Sequence, residues 1–362
     1  MKKEERFLFK ELCMFKKTTF DESLLEYATP YVLGQLFFNR MQGVAFEVLK
    51  KHGLLSRVNR EFRNALSGAY EQNTEKNNSF FNCIRELSMI LKKCPCNVAM
   101  LKGAQLCALY PRGLRTSNDV DIMVLPDKVT TVGDLLYSYG FRQGNIRGGE
   151  FVPASRREII ESKMMRGETV PYIKEVNLPY MKYLEVDINF SLDYKNSGDD
   201  VLNRMLEKIE LKNIIGDIQI PTFSEEDFFI HLCAHLYKET TTLPWVKMKR
   251  DMTLYKYCDI YMLLADMIDS DVEKMFKRAK ELGMDRICAF AIFQSSELFD
   301  YFNSCAYMMS QKILNTSPDF LHNVFSPKDK KVYCYQNTDI TDRFFMDDRF
   351  LDLKEVQCGR YI

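Results

Sequence analysis

A chain of 362 residues with 46% hydrophobic and 28% charged side chains holds enough apolar mass for a substantial core and two or three folding units. Its 50 basic and 50 acidic residues cancel, so no global field draws it toward nucleic acid, and polynucleotide is not an expected partner. No run reaches the roughly 18 apolar residues of a membrane span, and the eleven cysteines are scattered, several in apolar helical stretches (Cys107, Cys233, Cys258, Cys288) as in reduced proteins, so membrane is excluded as a partner and a cytoplasmic location is expected.

Residues 1–95 read as an N-terminal helical region. Asp21 or Ser23 can cap a helix starting near Leu24, and Val32, Leu36, Phe37 and Met41 form a stripe at helical spacing. A helix over 44–51 follows, with Gly53 as its stop. A long helix then carries Phe62, Leu66, Tyr70, Phe80, Phe81, Ile84, Leu87 and Ile90, and the polar stretch 71–79 is either its solvated face or a loop. Cys94-Pro95-Cys96 has one intervening residue, where zinc knuckles and thioredoxin-type motifs need two or more.

The pattern changes at Asn97, and residues 96–222 read as a core of mixed strands and helices. Val98 to Leu101 is a short buried strand, Gly103 opens a helix through Tyr110, and Pro111-Arg112-Gly113 breaks it. A strand over 119–125 ends at Pro126, and a helix over 129–139 stops at Gly140. Residues 150–190 look β-rich, with a clean alternation at the end: Leu184, Val186, Ile188 and Phe190 on one face, Glu185, Asp187 and Asn189 on the other. Residues 214–220 add an edge strand that Pro221 ends. Residues 223–315 read as a C-terminal helical region. Ser224-Glu225-Glu226-Asp227 carries a capping-box pattern, and helices follow over 251–267, 271–283 and 285–310. The tail, 316–362, is polar and has no readable period; it either wraps onto the body or stays detached.

The chemistry concentrates at the mouth of the 119–125 strand. Side chains at i and i+2 of a strand share a face, so Asp119 and Asp121 look the same way while Val120, Ile122 and Val124 face a core. Paired carboxylates repel unless a cation joins them, and an oxygen-only ligand set suits Mg²⁺, with Mn²⁺ as its substitute. If the strand bearing Asp187 is a neighbour, the three acids form one cluster for one or two ions about 3.5–4 Å apart. The strand–Lys102-Gly103–helix turn offers backbone N–H groups to phosphate, and Lys102 and Arg115 add cationic donors at the same mouth. A wet sheet face would give the same alternation around Asp187, and Lys102 could equally extend its ammonium into solvent. His231 and His235 share a helix face, but the glutamate that a zinc protease needs after the first histidine is Leu232 here. A packed pair is expected instead, with His235 directed toward bound nucleotide.

Leu101-Lys102-Gly103, Leu109-Tyr110, Arg115 and the Asp119-x-Asp121-Ile122-x-Val124 run together resemble the nucleotidyltransferase superfamily that includes DNA polymerase β. In particular they resemble the bacterial group labelled uncharacterised nucleotidyltransferases, which has a helical N-terminal region and a Lys-Gly turn in place of the usual Gly-Ser. The resemblance runs over roughly residues 25–300 and includes the helical stretches 225–235 and 257–264. It implies an α+β fold with a polymerase β-like core between helical regions. It further implies metal binding by Asp119 and Asp121, with Asp187 as third carboxylate, where members of the group carry a histidine nearby. Lys102, Gly103, Arg115 and Ser117 would contact the nucleotide. The implied activity is Mg²⁺-dependent transfer of a nucleoside monophosphate from an NTP, ATP first among them, to an unidentified hydroxyl or phosphate acceptor, with release of pyrophosphate. Two alternatives stay open: transfer to a protein or peptide, as in toxin–antitoxin or peptide-tailoring systems, and nucleotide binding without turnover.

Overall fold

The computed structural model describes residues 1–192, 200–300, 303–316 and 318–356. The chain divides into two compact units, one made of Met1–Ser67 with Phe229–Ile362, the other of Gly68–Phe228. Of the two helical regions read in the sequence, residues 1–67 and 229–315 lie in the first unit, while 68–95 lie in the second.

The second unit is built on a mixed sheet flanked by helices. Its strands are β1 (Ala99–Met100), β2 (Asp119–Met123), β3 (Arg142–Arg147), β4 (Glu150–Pro153), β5 (Tyr172–Leu178) and β6 (Met181–Asn189), in the order β1-β2-β6-β5-β3-β4. β2 and β6 run parallel, and the other neighbours run antiparallel. The apolar halves of the alternating strands explain the layering. Val120, Ile122, Val186 and Ile188 are fully buried against Phe80, Ile84 and Leu87 of the long helix Arg60–Leu91 and Val132 and Leu136 of the helix Val129–Ser138. Burial of each such side chain stabilises the fold by about 1.5–3 kcal/mol before entropy is counted, and it leaves the acidic face of β2 and β6 free for other work.

Two elements differ from the pattern read in the sequence, and a third resolves a choice left open there. The β-rich stretch is interrupted by a helix, Arg156–Arg166, started by a reciprocal cap between Ser155 and Glu158; Ser155-x-x-Glu158 is a legible start signal with no apolar stripe behind it. The edge strand near 214–220 is a hairpin, β7 (Glu210–Ile215) with β8 (Ile218–Thr222), and Pro221 lies inside β8 opposite Leu211. The polar stretch 71–79 is neither loop nor break: one helix of 32 residues passes through it.

The first unit is helical, with Glu225–Thr240, Leu254–Leu264, Asp269–Glu281, Asp285–Phe299 and Ser304–Leu314 as its later helices. The tail adds an antiparallel sheet of β9 (Asn323–Ser326), β10 (Lys331–Tyr335) and β11 (Leu353–Val356). Trp245 sits in a short helix, Leu243–Lys247. Among the described residues the ten cysteines form no disulfide, and Cys94 and Cys96 bring their sulfurs to 3.3 Å. No helix among the described residues is long and apolar enough to cross a membrane.

Candidate active site

Parallel pairing of β2 with β6 sets Asp119 opposite Glu185, Asp121 opposite Asp187, and Met123 opposite Asn189. The two strands therefore present four carboxylates on one patch of the sheet. Asp121 is buried, at 8% exposure, and its Oδ1 accepts from the Lys102 ammonium at 2.8 Å and from the Asn189 side-chain amide at 3.1 Å. Asn189 also donates to the Asp187 carbonyl at 3.3 Å. Asp187 has no such help. Its burial, followed by the charges of Asp121, Asp119 and Glu168, pushes its carboxyl well above the usual range, against the opposing pull of Lys102. Burial raises Glu185 as well, and the Asp119 charge adds to it.

Asp119 stands exposed at the solvent end of β2. Desolvation works against its charge, but the Ser117 hydroxyl, the Lys102 cation and the Arg115 cation together win and hold its carboxyl below the usual value. Ser117 Oγ donates to Asp119 Oδ1 at 2.6 Å. Gly103 explains why Ser117 is there. A Cβ at position 103 would stand 2.7 Å from both Cβ and Oγ of Ser117, so only glycine lets the turn close against the serine.

Lys102 holds that turn together. It has φ +43° and ψ −111°, a backbone conformation that favours glycine, and its carbonyl accepts from Leu106 at 2.8 Å at the start of the helix Gly103–Leu109. The backbone N–H of Leu101, just before it, donates to the Asp121 carbonyl at 2.8 Å and prolongs the β1–β2 pairing. Arg115 lies on the loop between that helix and β2. Asn77, 1% exposed on the long helix, secures the loop: its amide donates to the Arg115 carbonyl at 2.9 Å, and its oxygen accepts from the Gly113 N–H at 2.9 Å. Asn73 donates to the Gly113 carbonyl at 3.0 Å, and Lys76 bonds to the Asn118 side chain.

The structure thus gathers Lys102, Gly103, Arg115, Ser117, Asp119, Asp121 and Asp187 around one end of β2 and β6. His235 belongs to the first unit, where its Nε2 lies 3.5 Å from Glu239, which also pairs with Lys256. Four neighbours had no signal of their own in the sequence: Asn73, Asn77, Asn189 and Glu168. Asn189 was visible only as a member of the polar face of β6. Asn73 and Asn77 fall four residues apart, one helical turn, and that spacing inside a polar stretch was the available clue.

The donors of this patch are carboxylate oxygens, the set that hard divalent cations take. The side chains are not drawn into a closed shell: among the described residues no group of three or more His, Cys, Asp or Glu is spaced to hold an ion.

The fold thus sets facing aspartates of two parallel strands beside a strand–turn–helix. The chain belongs to the family described as uncharacterised nucleotidyltransferase, whose match spans residues 30–300, and it is a nucleotidyltransferase. No curated protein matches it. Among solved structures it is similar to an antigenic nucleotidyltransferase-like protein from Paracoccidioides brasiliensis, at 15% identity and a TM-score of 0.34, over 68% of this chain and 89% of that one.

Proposed function

We propose that the protein transfers a nucleoside monophosphate from an NTP, ATP first among them, to a hydroxyl or phosphate oxygen of an acceptor, with Mg²⁺ as its metal. The observation that carries this reading is the register of β2 on β6, which sets Asp121 directly opposite Asp187 with Asp119 two residues along. Asp119, Asp121 and Asp187 would hold the metal, which supplies charge neutralisation at the phosphates when bound.

The remaining work falls to the chain's own groups. Lys102, Arg115 and Ser117 would offer donors to the polyphosphate at the turn that Gly103 opens. Asp187, set opposite Asp121, would receive the proton of the acceptor hydroxyl as its charged carboxylate. In the overall step the acceptor oxygen bonds to the α-phosphorus, the bond from that phosphorus to the bridging oxygen breaks, pyrophosphate leaves, and the acceptor proton passes to Asp187. Positioning and electrostatic stabilisation supply most of the rate in such a transfer.

The test is incubation with α-labelled ATP, GTP, CTP and UTP, with and without Mg²⁺, against a panel of hydroxyl and phosphate acceptors and the protein itself. Release of pyrophosphate coupled to label transfer is expected from the wild type, with loss of at least about a hundredfold in Asp119→Asn/Asp121→Asn. Undiminished transfer by a folded double variant overturns the assignment. Label on the protein itself would identify a polypeptide acceptor.

A further inference from the structure

We infer that Lys102 is a resident counter-ion of the carboxylate patch, which a divalent cation and a nucleoside triphosphate displace together, so that the two ligands bind with positive coupling. The inference rests on the nucleotidyl-transfer reading and adds to it an internal competitor for the metal.

Three observations point this way. The first is the ion pair itself. Lys102 Nζ lies 2.8 Å from Asp121 Oδ1, with side-chain exposures of 17% and 11%, so the ammonium is seated inside the patch and not extended into solvent. The second is occupancy of the ligand atom. Asp121 Oδ1 already accepts from both Lys102 and the Asn189 amide, so this oxygen faces protein donors first. The third is backbone strain. Lysine pays a steric penalty at φ +43°, ψ −111° that glycine would not, and this strain is held at the residue that puts a cation against Asp121.

From these the coupling follows. A metal ion arriving alone meets a positive charge at the site it must enter, and repulsion between the two weakens its binding. A triphosphate arriving with the metal offers the ammonium another anion, on a four-carbon stem with freely turning N–H donors. Lys102 can then leave Asp121 without losing an ionic partner. Each ligand therefore tightens the other, and by thermodynamic linkage the factor is the same in both directions.

The experiment is Mn²⁺ binding to the nucleotide-free full chain, read by the loss of the free-ion magnetic resonance signal, for wild type, Lys102→Met, Lys102→Arg and Asp121→Asn. Transfer activity of the wild type is measured in parallel. Removing the charge in Lys102→Met is expected to tighten Mn²⁺ by about fivefold or more, with Lys102→Arg close to wild type and Asp121→Asn weaker. The factor by which a non-hydrolysable ATP analogue tightens Mn²⁺ should shrink in Lys102→Met to a similar degree. Lys102→Gly, which suits the backbone conformation and also removes the charge, serves if the methionine variant does not fold. Equal or weaker Mn²⁺ binding in the charge-free variants overturns the inference while leaving nucleotidyl transfer standing. A wild type that neither binds Mn²⁺ nor transfers nucleotide overturns both.

Discussion

An aspartate whose folded-state pKa lies above its unfolded-state value binds its proton more tightly in the folded chain, and Asp187 is in that position. Burial comes first among the causes, then the charges of Asp121, Asp119 and Glu168. The sign follows from linkage. The stability associated with Asp187 is fully present below the usual value of 3.8 and is lost as pH rises through the elevated folded-state value. At neutral pH without metal, the charged or proton-holding Asp187 is therefore a burden that an uncharged isostere removes. Asp187→Asn is expected to raise the stability of chelator-treated protein at pH 7 by on the order of 1 kcal/mol, while transfer falls steeply. Thermal unfolding of both proteins from pH 4 to pH 8 checks this, and the gap between them should close at the acid end. A variant less stable than wild type at pH 7 would show that the carboxylate is a net stabiliser of the fold.

At the scale of elements, the long helix Arg60–Leu91 does two jobs with two faces. Phe80, Ile84 and Leu87 pack on the sheet, and Asn73 and Asn77 hold the loop that carries Arg115 to the head of β2. Asn77→Leu keeps the helix and the volume but leaves the buried Gly113 N–H and Arg115 carbonyl without these partners. A loss of about 1–3 kcal/mol is expected, with a larger rise in KM for nucleotide than fall in kcat if the loop serves binding. Denaturant titration and steady-state kinetics read the two effects. This element also marks how far the sequence could be read. The alternations at 119–124 and 183–190 fixed which side chains share a face, because strand geometry has a period of two that any register preserves. That β2 pairs with β6, and in parallel, is a long-range fact that no local period encodes. The asparagines of the helix were invisible for another reason. A polar run on a helix looks the same whether its partner is water or a loop forty residues away, and only the buried Asn77 distinguishes them. The Arg156–Arg166 helix has a cap but almost no apolar stripe, so strand-like neighbours masked it.

At the scale of the whole chain, the polar tail proves to be part of the first unit, and its anchors are buried arginines. Arg349 forms a two-pronged ion pair with Asp251, at 2.8 Å and 2.7 Å, and Asp251 is 0% exposed, with the Tyr335 hydroxyl donating to it at 3.4 Å. Arg343, at 1% exposure, stacks its guanidinium 4.4 Å from the Tyr335 ring centre and meets His322 Nδ1 at 3.1 Å. Removing one member of such a pair leaves a charge buried in apolar surroundings, so Arg349→Met is expected to destabilise by about 3–5 kcal/mol, and Asp251→Leu/Arg349→Met to recover part of the loss. Equal destabilisation by the single and double variants would show that packing, not the stranded charge, sets the effect. His322 adds a pH dependence with the opposite sign to that of Asp187. The guanidinium donates to its Nδ1, so the ring must stay neutral there. Burial first, and the Arg343 charge second, push its pKa from 6.5 down to about 4. A histidine with a depressed folded-state pKa contributes stability that is complete above 6.5 and is lost as pH falls toward the folded-state value. His322→Gln keeps an acceptor and cannot take up the proton. Denaturation midpoints measured at pH 7.5, 5.5 and 4.5 should therefore fall less in the variant than in the wild type. Identical slopes would mean that the ring titrates as freely in the folded tail as in the unfolded chain, and that the Arg343 contact does not hold it neutral.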